Sequence, residues 1–284
     1  MWLRSHSEFR YDAPMPNIEL NGTSLHYEDT GPGSSGETIA FSHGLLWCTE
    51  MFAPQIAALR GRYRCIAWDH RGQGKSASDH RHTIDMELLA QDAIALLDRL
   101  APGGVHFAGL SMGGFVGMRV AARRPDLVRS LILMETTTDP EPLATVQRYR
   151  LLNRIFRYLG PRVVKGRVAP IMLGRTILAD PSRRAEVARY TALMTSRRDV
   201  WKAASGVIDR AGMTAEELAR IRVPTLVVVG DEDVATPRKK ADQMVAAIAG
   251  ARLVAIPRAG HSSSVEEPAA VTQAIESFLG GQSA

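Results

Sequence analysis

A chain of 284 residues, 45% hydrophobic and 23% charged, can bury one large core and does not read as extended disorder or low complexity. Two cysteines, Cys48 and Cys65, exclude a disulfide framework and have no zinc or iron–sulfur spacing. No run of about twenty apolar residues could span a bilayer, and the first residues lack the apolar stretch of a signal peptide, so a cytoplasmic location is expected. The formal charge of +5 is uneven: residues 139–220 hold 16 Lys or Arg against 8 Asp or Glu, a net +8, which leaves −3 for the rest.

In chain order, residues 1–14 read as a poorly ordered extension, and the patterned part begins at Met15 with "MPNIELNGTSLHYE". Its "NGT" is a glycosylation sequon without a secretory context. Short apolar runs follow at 38–44 (TIAFSHG), 63–70 (YRCIAWDH), 105–111 (VHFAGLS) and 128–135 (VRSLILME). Between them, 84–100 has helical periodicity, with Ile84, Leu88, Ile94, Leu97 and Leu100 close to one face. Residues 112–125 read as a small-residue helix stopped by Pro125. This alternation predicts an α/β fold, a mostly parallel sheet covered by helices.

From 139 to 220 the alternation stops, and "VQRYRLLNRIFRYLG" and "RRAEVARYTALMTS" predict amphipathic helices. Strand and helix signals resume after Pro224 with 225–233, 238–249, 251–261 and 268–279. The expected organisation is therefore a core of 15–138 and 221–284, interrupted by an Arg-rich helical insertion at 139–220.

Acyl transfer to a hydroxyl needs a nucleophile, a base, an acid that orients the base, and donors for the oxyanion. Ser111 lies in "GLSMG", which fits G-x-S-x-G and sits between a strand signal and a helix signal, the context that motif requires. His261, in "PRAGHSSSVEEP" after the last apolar run, is the base. Asp233 in "GDEDVATP" is the preferred acid, with Glu135 and Asp231 as alternatives. The oxyanion donors are the N–H groups of Met112, after the nucleophile, and Leu45, in the loop after the first parallel strand. His43 precedes a glycine at a strand end and reads as structural, Cys65 as core, and Cys48 as a residue near a pocket without chemistry of its own.

Two other signals are discounted. "GQGKS" lacks the phosphate-loop glycine, Asp69 standing in its place, and reads as a turn tied down by Asp69 and Arg71. "HRH" at 80–82 has no carboxylate or cysteine partner at useful spacing, so no metal is expected. The basic insertion carries no aromatic interleaving or RNA-binding signature, so nucleic acid is not an expected partner.

With these residues in hand, "HGLLW", "DHRGQGKS", "GLSMGG", "GDEDVATP" and "AGHSSSVEEP" resemble the recurrent segments of the α/β-hydrolase superfamily, over 38–135 and 221–280. The core is similar to its small esterases, lactonases and cofactor-free perhydrolases, the group that includes 3-oxoadipate enol-lactonase. The resemblance implies an α/β-hydrolase core, a cap domain at 139–220 that roofs the pocket, and a cofactor-free serine hydrolase of a small ester or lactone. Carbon–carbon hydrolase, thioesterase and perhydrolase activity share the same three residues. A non-catalytic receptor or scaffold is the alternative from another class. The net +8 of the cap leads to the expectation of a carboxylate-bearing substrate. Stable membrane insertion is not expected, and a homo-oligomer is left open.

Overall fold

A computed structural model of the protein describes residues 16–78, 80–194 and 198–281. The expected extension at 1–14 lies outside the described residues. Strands β1 (Asn17–Leu20), β2 (Thr23–Asp29), β3 (Thr38–Ser42), β4 (Arg64–Trp68), β5 (Val105–Leu110), β6 (Val128–Met134), β7 (Thr225–Gly230) and β8 (Arg252–Ile256) form one sheet in the order β1-β2-β4-β3-β5-β6-β7-β8. The β1–β2 and β2–β4 pairings are antiparallel, and all pairings from β4 to β8 are parallel. This is the mostly parallel α/β sheet expected. The β1–β2 hairpin goes beyond that expectation. Its turn is Asn21-Gly22, both at positive φ (48° and 72°), the pair that a tight two-residue hairpin favours.

Helices cover both faces of the sheet. Helix α1 is Ala53–Leu59, α2 is Met86–Leu100 and α3 is Met112–Arg123. Between β6 and β7 come α4 (Leu143–Leu159), α5 (Pro161–Met172), α6 (Arg175–Ala179), α7 (Arg184–Met194), α8 (Trp201–Ile208) and α9 (Ala215–Ala219). The chain closes with α10 (Arg238–Ala247), α11 (Ser263–Glu266) and α12 (Pro268–Gly280). One core layer joins the sheet to α2, α3 and α10. The other joins it to α1 and α12 and runs on into α5 and α7.

Helix α2 differs from its expected face. Ile84 and Leu97 are buried, but Leu88, Ile94 and Leu100 are only partly so, and the buried stripe is Leu89, Ala90, Ala93, Leu96 and Leu97. The two alanines are weak in a hydrophobic pattern, and the stripe belongs to the same core layer as the small-residue helix α3.

The sheet also accounts for the turn read from "DHRGQGKS". Asp69 accepts the N–H groups of Thr49 (2.7 Å) and Lys75 (2.7 Å), and a Cβ on Gly74 would stand 2.2 Å from its carboxylate carbon. Arg71, fully buried, makes two 2.6 Å bonds to Asp92, and that carboxylate also accepts from Asn21 of the β1–β2 turn. A paired, hydrogen-bonded charge is the form in which an arginine is tolerated in a core. Arg71 and Asp92 thereby tie the loop after β4 to the β1–β2 hairpin.

Candidate active site

Strand order reverses at β3, whose neighbours are β4 on one side and β5 on the other. Ligands bind outside the carboxyl ends of the strands at such a switch point. β3 delivers the Gly44-Leu45 loop there, and β5 delivers Ser111.

Ser111 has φ 52° and ψ −111°, a conformation that costs a non-glycine residue about 1–3 kcal/mol. The glycines of the motif explain how it is held. A Cβ on Gly109 would lie 2.3 Å from the Gly113 carbonyl oxygen, and one on Gly113 would lie 1.9 Å from the Ser42 carbonyl oxygen. Only bare backbone lets α3 start this close to β3 and β5. The serine N–H donates to the Met134 carbonyl on β6 (2.8 Å), and its own carbonyl accepts from Thr136 (2.9 Å).

The Ser111 hydroxyl is 2.8 Å from Nε2 of His261, and Nδ1 of that imidazole is 2.9 Å from Oδ2 of Asp233. Asp233 Oδ1 accepts the N–H groups of Ala235 (2.8 Å) and Thr236 (3.0 Å), and Oδ2 also accepts the Thr236 hydroxyl (2.7 Å). Burial works to raise this carboxyl, but the His261 charge and the hydrogen bonds from His261 and Thr236 outweigh it. Asp233 therefore sits below the usual aspartate range. The three residues picked from the sequence meet in one hydrogen-bonded chain.

The alternative acids lie elsewhere. Glu135, at φ 43°, is buried with Oε1 accepting the Gly230 N–H (3.1 Å), and burial, then the Asp233 charge, push its carboxyl well above the usual glutamate value. Asp231 is exposed and accepts the Arg258 N–H (2.8 Å). Neither bonds His261.

Met112 is the first residue of α3, so its N–H has no intrahelical acceptor and carries the positive end of the helix dipole. Leu45 lines the same cavity as Ser111, while the next N–H, that of Leu46, is taken by Gln73 Oε1 (3.1 Å). His43 is buried beneath them, its Nε2 accepting the His70 N–H (3.0 Å). Burial lowers both imidazoles, His70 well below the ordinary value, so the pair is a neutral framework. Cys48 is buried and its thiol is pushed up, by burial first, to about 12, which removes it as a nucleophile.

Above Ser111 and His261 opens a cavity of about 160 Å³. Phe115, Leu152, Phe156, Val168, Met172 and Trp201 form much of its wall. Among the described residues that line it, Arg210 is the one Lys or Arg, and its Nη1 is 3.2 Å from Glu141 Oε2 while its guanidinium lies over the Phe115 ring at 4.3 Å. Most of these wall residues come from α4, α5 and α8, of which the sequence pattern marks α4 as a helix and none as a pocket wall. Among the described residues, no three His, Cys, Asp or Glu side chains are grouped to hold a metal. No helix among them is long and apolar enough to cross a membrane.

The mostly parallel sheet, the strained serine between strand and helix, and the histidine after the last strand define an α/β hydrolase. The model of the "Alpha/beta hydrolase family" matches residues 39–274, and the chain belongs to that family. Among solved structures, the enol-lactonase from Burkholderia xenovorans is 28% identical, with a TM-score of 0.83 over 93% of this chain and 99% of its own. A thermophilic esterase from Thermogutta terrifontis is likewise 28% identical, with a TM-score of 0.85 over 94% and 98%. A protein of Pseudomonas savastanoi pv. phaseolicola, provisionally named carbamate hydrolase RutD, is 27% identical over 86% of this chain and 94% of that one.

Proposed function

We propose that the chain is a serine hydrolase that cleaves a neutral carboxylic ester or lactone with an apolar acyl part. The observation that carries the reading is the chain Ser111–His261–Asp233, with links of 2.8 and 2.9 Å, at the floor of an apolar cavity. His261 takes the Ser111 proton as the hydroxyl oxygen attacks the carbonyl carbon. The oxyanion is held by the Met112 and Leu45 N–H groups. His261 then gives its proton to the leaving oxygen, and the alcohol departs or, for a lactone, stays tethered. Water, deprotonated by the same imidazole, releases the acid and restores Ser111. Asp233 holds the imidazole with its proton on Nδ1 and balances the charge that forms. No cofactor enters these steps. Helices α4 to α8 act as the cap.

The expectation of a carboxylate-bearing substrate finds little support at the cavity. Among the described residues that line the wall, Arg210 is the one Lys or Arg, and it already faces Glu141. A carbamate is the second reading, favoured by the RutD relatives, since its carbonyl would meet the same nucleophile.

The test is kcat/KM for p-nitrophenyl esters with a neutral or a carboxylate-terminated acyl chain, and for an aryl carbamate, at low and high salt with Ser111→Ala as blank. The neutral ester should be fastest, with no salt dependence and no turnover by the blank. A charged ester that wins at low salt and loses its lead at high salt restores anion steering. A carbamate that wins makes the second reading the first.

A further inference from the structure

Between α5 and α6 the chain passes through Leu173-Gly174, directly after the cavity-lining Ile171 and Met172. Two carboxylates, Glu266 buried and Glu232 partly so, reach this turn from the sheet side. Glu266 Oε2 accepts the Gly174 N–H (2.7 Å), and its Oε1 accepts the N–H groups of Gly260 (3.0 Å) and Ser262 (3.1 Å), the residues on either side of His261. Glu232, next to Asp233, accepts the Thr176 N–H (2.8 Å) through Oε2, and the Thr176 hydroxyl (2.6 Å) and Arg175 Nε (3.1 Å) through Oε1. The Glu232 N–H in turn donates to the Ala259 carbonyl (2.9 Å). The surfaces touch backbone to backbone: a Cβ on Gly260 would stand 2.2 Å from the Gly174 nitrogen.

We propose that Glu266 and Glu232 form a two-carboxylate clasp that seats the Leu173-Gly174 turn and the start of α6 against the loops bearing His261 and Asp233, with Glu266 the positioning residue for the imidazole. One side chain thus holds both neighbours of the base and the end of the pocket wall. An acyl chain that presses on Met172 acts on the loop that aims His261. The inference rests on the acyl-transfer reading above. A carboxylate suits the post because three donors converge on two oxygens, and an amide there must turn its NH₂ toward a backbone N–H. Glu266 is 1% exposed, so water cannot repair that mismatch.

The test uses the full chain with Glu266→Gln and Thr176→Val. Three quantities are read: the rate of Ser111 phosphonylation by a small fluorophosphonate, kcat and KM for acetyl and octanoyl p-nitrophenyl esters, and the melting curve. Glu266→Gln should slow phosphonylation and kcat on both esters by about 10- to 100-fold, the scale of a small misplacement of a catalytic group. Its KM should rise for the octanoyl ester alone. Thr176→Val, which cuts a Glu232 contact and leaves the Glu266 bonds in place, should raise the octanoyl KM about threefold, a loss of uniform binding by the wall, and slow phosphonylation by less than Glu266→Gln does. A folded Glu266→Gln that is phosphonylated at the wild-type rate overturns the proposal. So does a Thr176→Val that alters both esters equally or neither, and this arm decides the matter if Glu266→Gln does not fold. Failure of the wild-type chain to react with the probe would instead sink the acyl-transfer reading itself.

Discussion

Asp233→Asn exchanges one oxygen for an NH₂ group and leaves the size of the side chain unchanged. Oδ1 of Asp233 takes two backbone N–H groups, from Ala235 and Thr236, so the amide oxygen is committed to that side. The NH₂ must then face His261 Nδ1, 2.9 Å away, and the Thr236 hydroxyl. Nδ1 becomes an acceptor, the imidazole proton moves to Nε2, and Nε2 can no longer take the Ser111 proton across the 2.8 Å that separates them. A wrong tautomer of this kind costs a Ser-His-Asp enzyme about 10⁴ in kcat, or about 5.5 kcal/mol of barrier. Hydrolysis of p-nitrophenyl butyrate, with sites counted by fluorophosphonate labelling, measures the loss. A folded variant that keeps more than a tenth of the wild-type rate would refute the argument and return Glu135 to consideration as the acid.

Glu135→Gln should leave ester hydrolysis within about twofold, since this side chain bonds Gly230 and not His261. It should also change the pH dependence of stability. Glu135 binds its proton more tightly folded than unfolded, so the wild type loses stability as pH rises from the unfolded glutamate value toward the higher folded one. The glutamine chain lacks that loss, and its melting-temperature advantage should grow with pH over this range; an advantage that shrinks counts against a neutral Glu135. Asp92→Asn leaves the fully buried Arg71 without its anionic partner and should destabilise by about 3–5 kcal/mol in urea denaturation; a loss under about 1 kcal/mol contradicts the assigned role. Gly113→Ala brings a methyl to 1.9 Å from the Ser42 carbonyl oxygen. That overlap should cost about 1–3 kcal/mol or more and lower Ser111 labelling, whereas an unaltered melt and labelling rate would show that α3 has room to move.

The chemistry-bearing ends of the strands are written in the amino-acid order. Ser111, Asp233 and His261 each close an apolar run, and the runs at 38–44, 105–111 and 225–233 are the strands β3, β5 and β7. These signals are local: a turn that needs small residues, or a strand that needs consecutive apolar ones, is encoded within a few positions. The hairpin at Asn21-Gly22 is equally local but fainter, because its strands are short and half polar. The choice among Asp233, Asp231 and Glu135 is not local. All three lie at or just beyond the ends of β6 and β7, and only the path of the loops decides which carboxylate meets an imidazole that is 28 residues away for Asp233. The pocket is also beyond the pattern. Its wall is assembled from single faces of α4, α5 and α8, and the pairing of Arg210 with Glu141 spans 69 residues. The net +8 of residues 139–220 is a sum over a surface, while binding depends on which guanidinium the fold turns inward and what already neutralises it. The clasp of Glu232 and Glu266 belongs to the same class. Each carboxylate looks like an ordinary loop residue in the chain, and the folding of the chain brings both to the turn at Gly174, because two backbones close enough to exclude water need an acceptor for the N–H groups they bury.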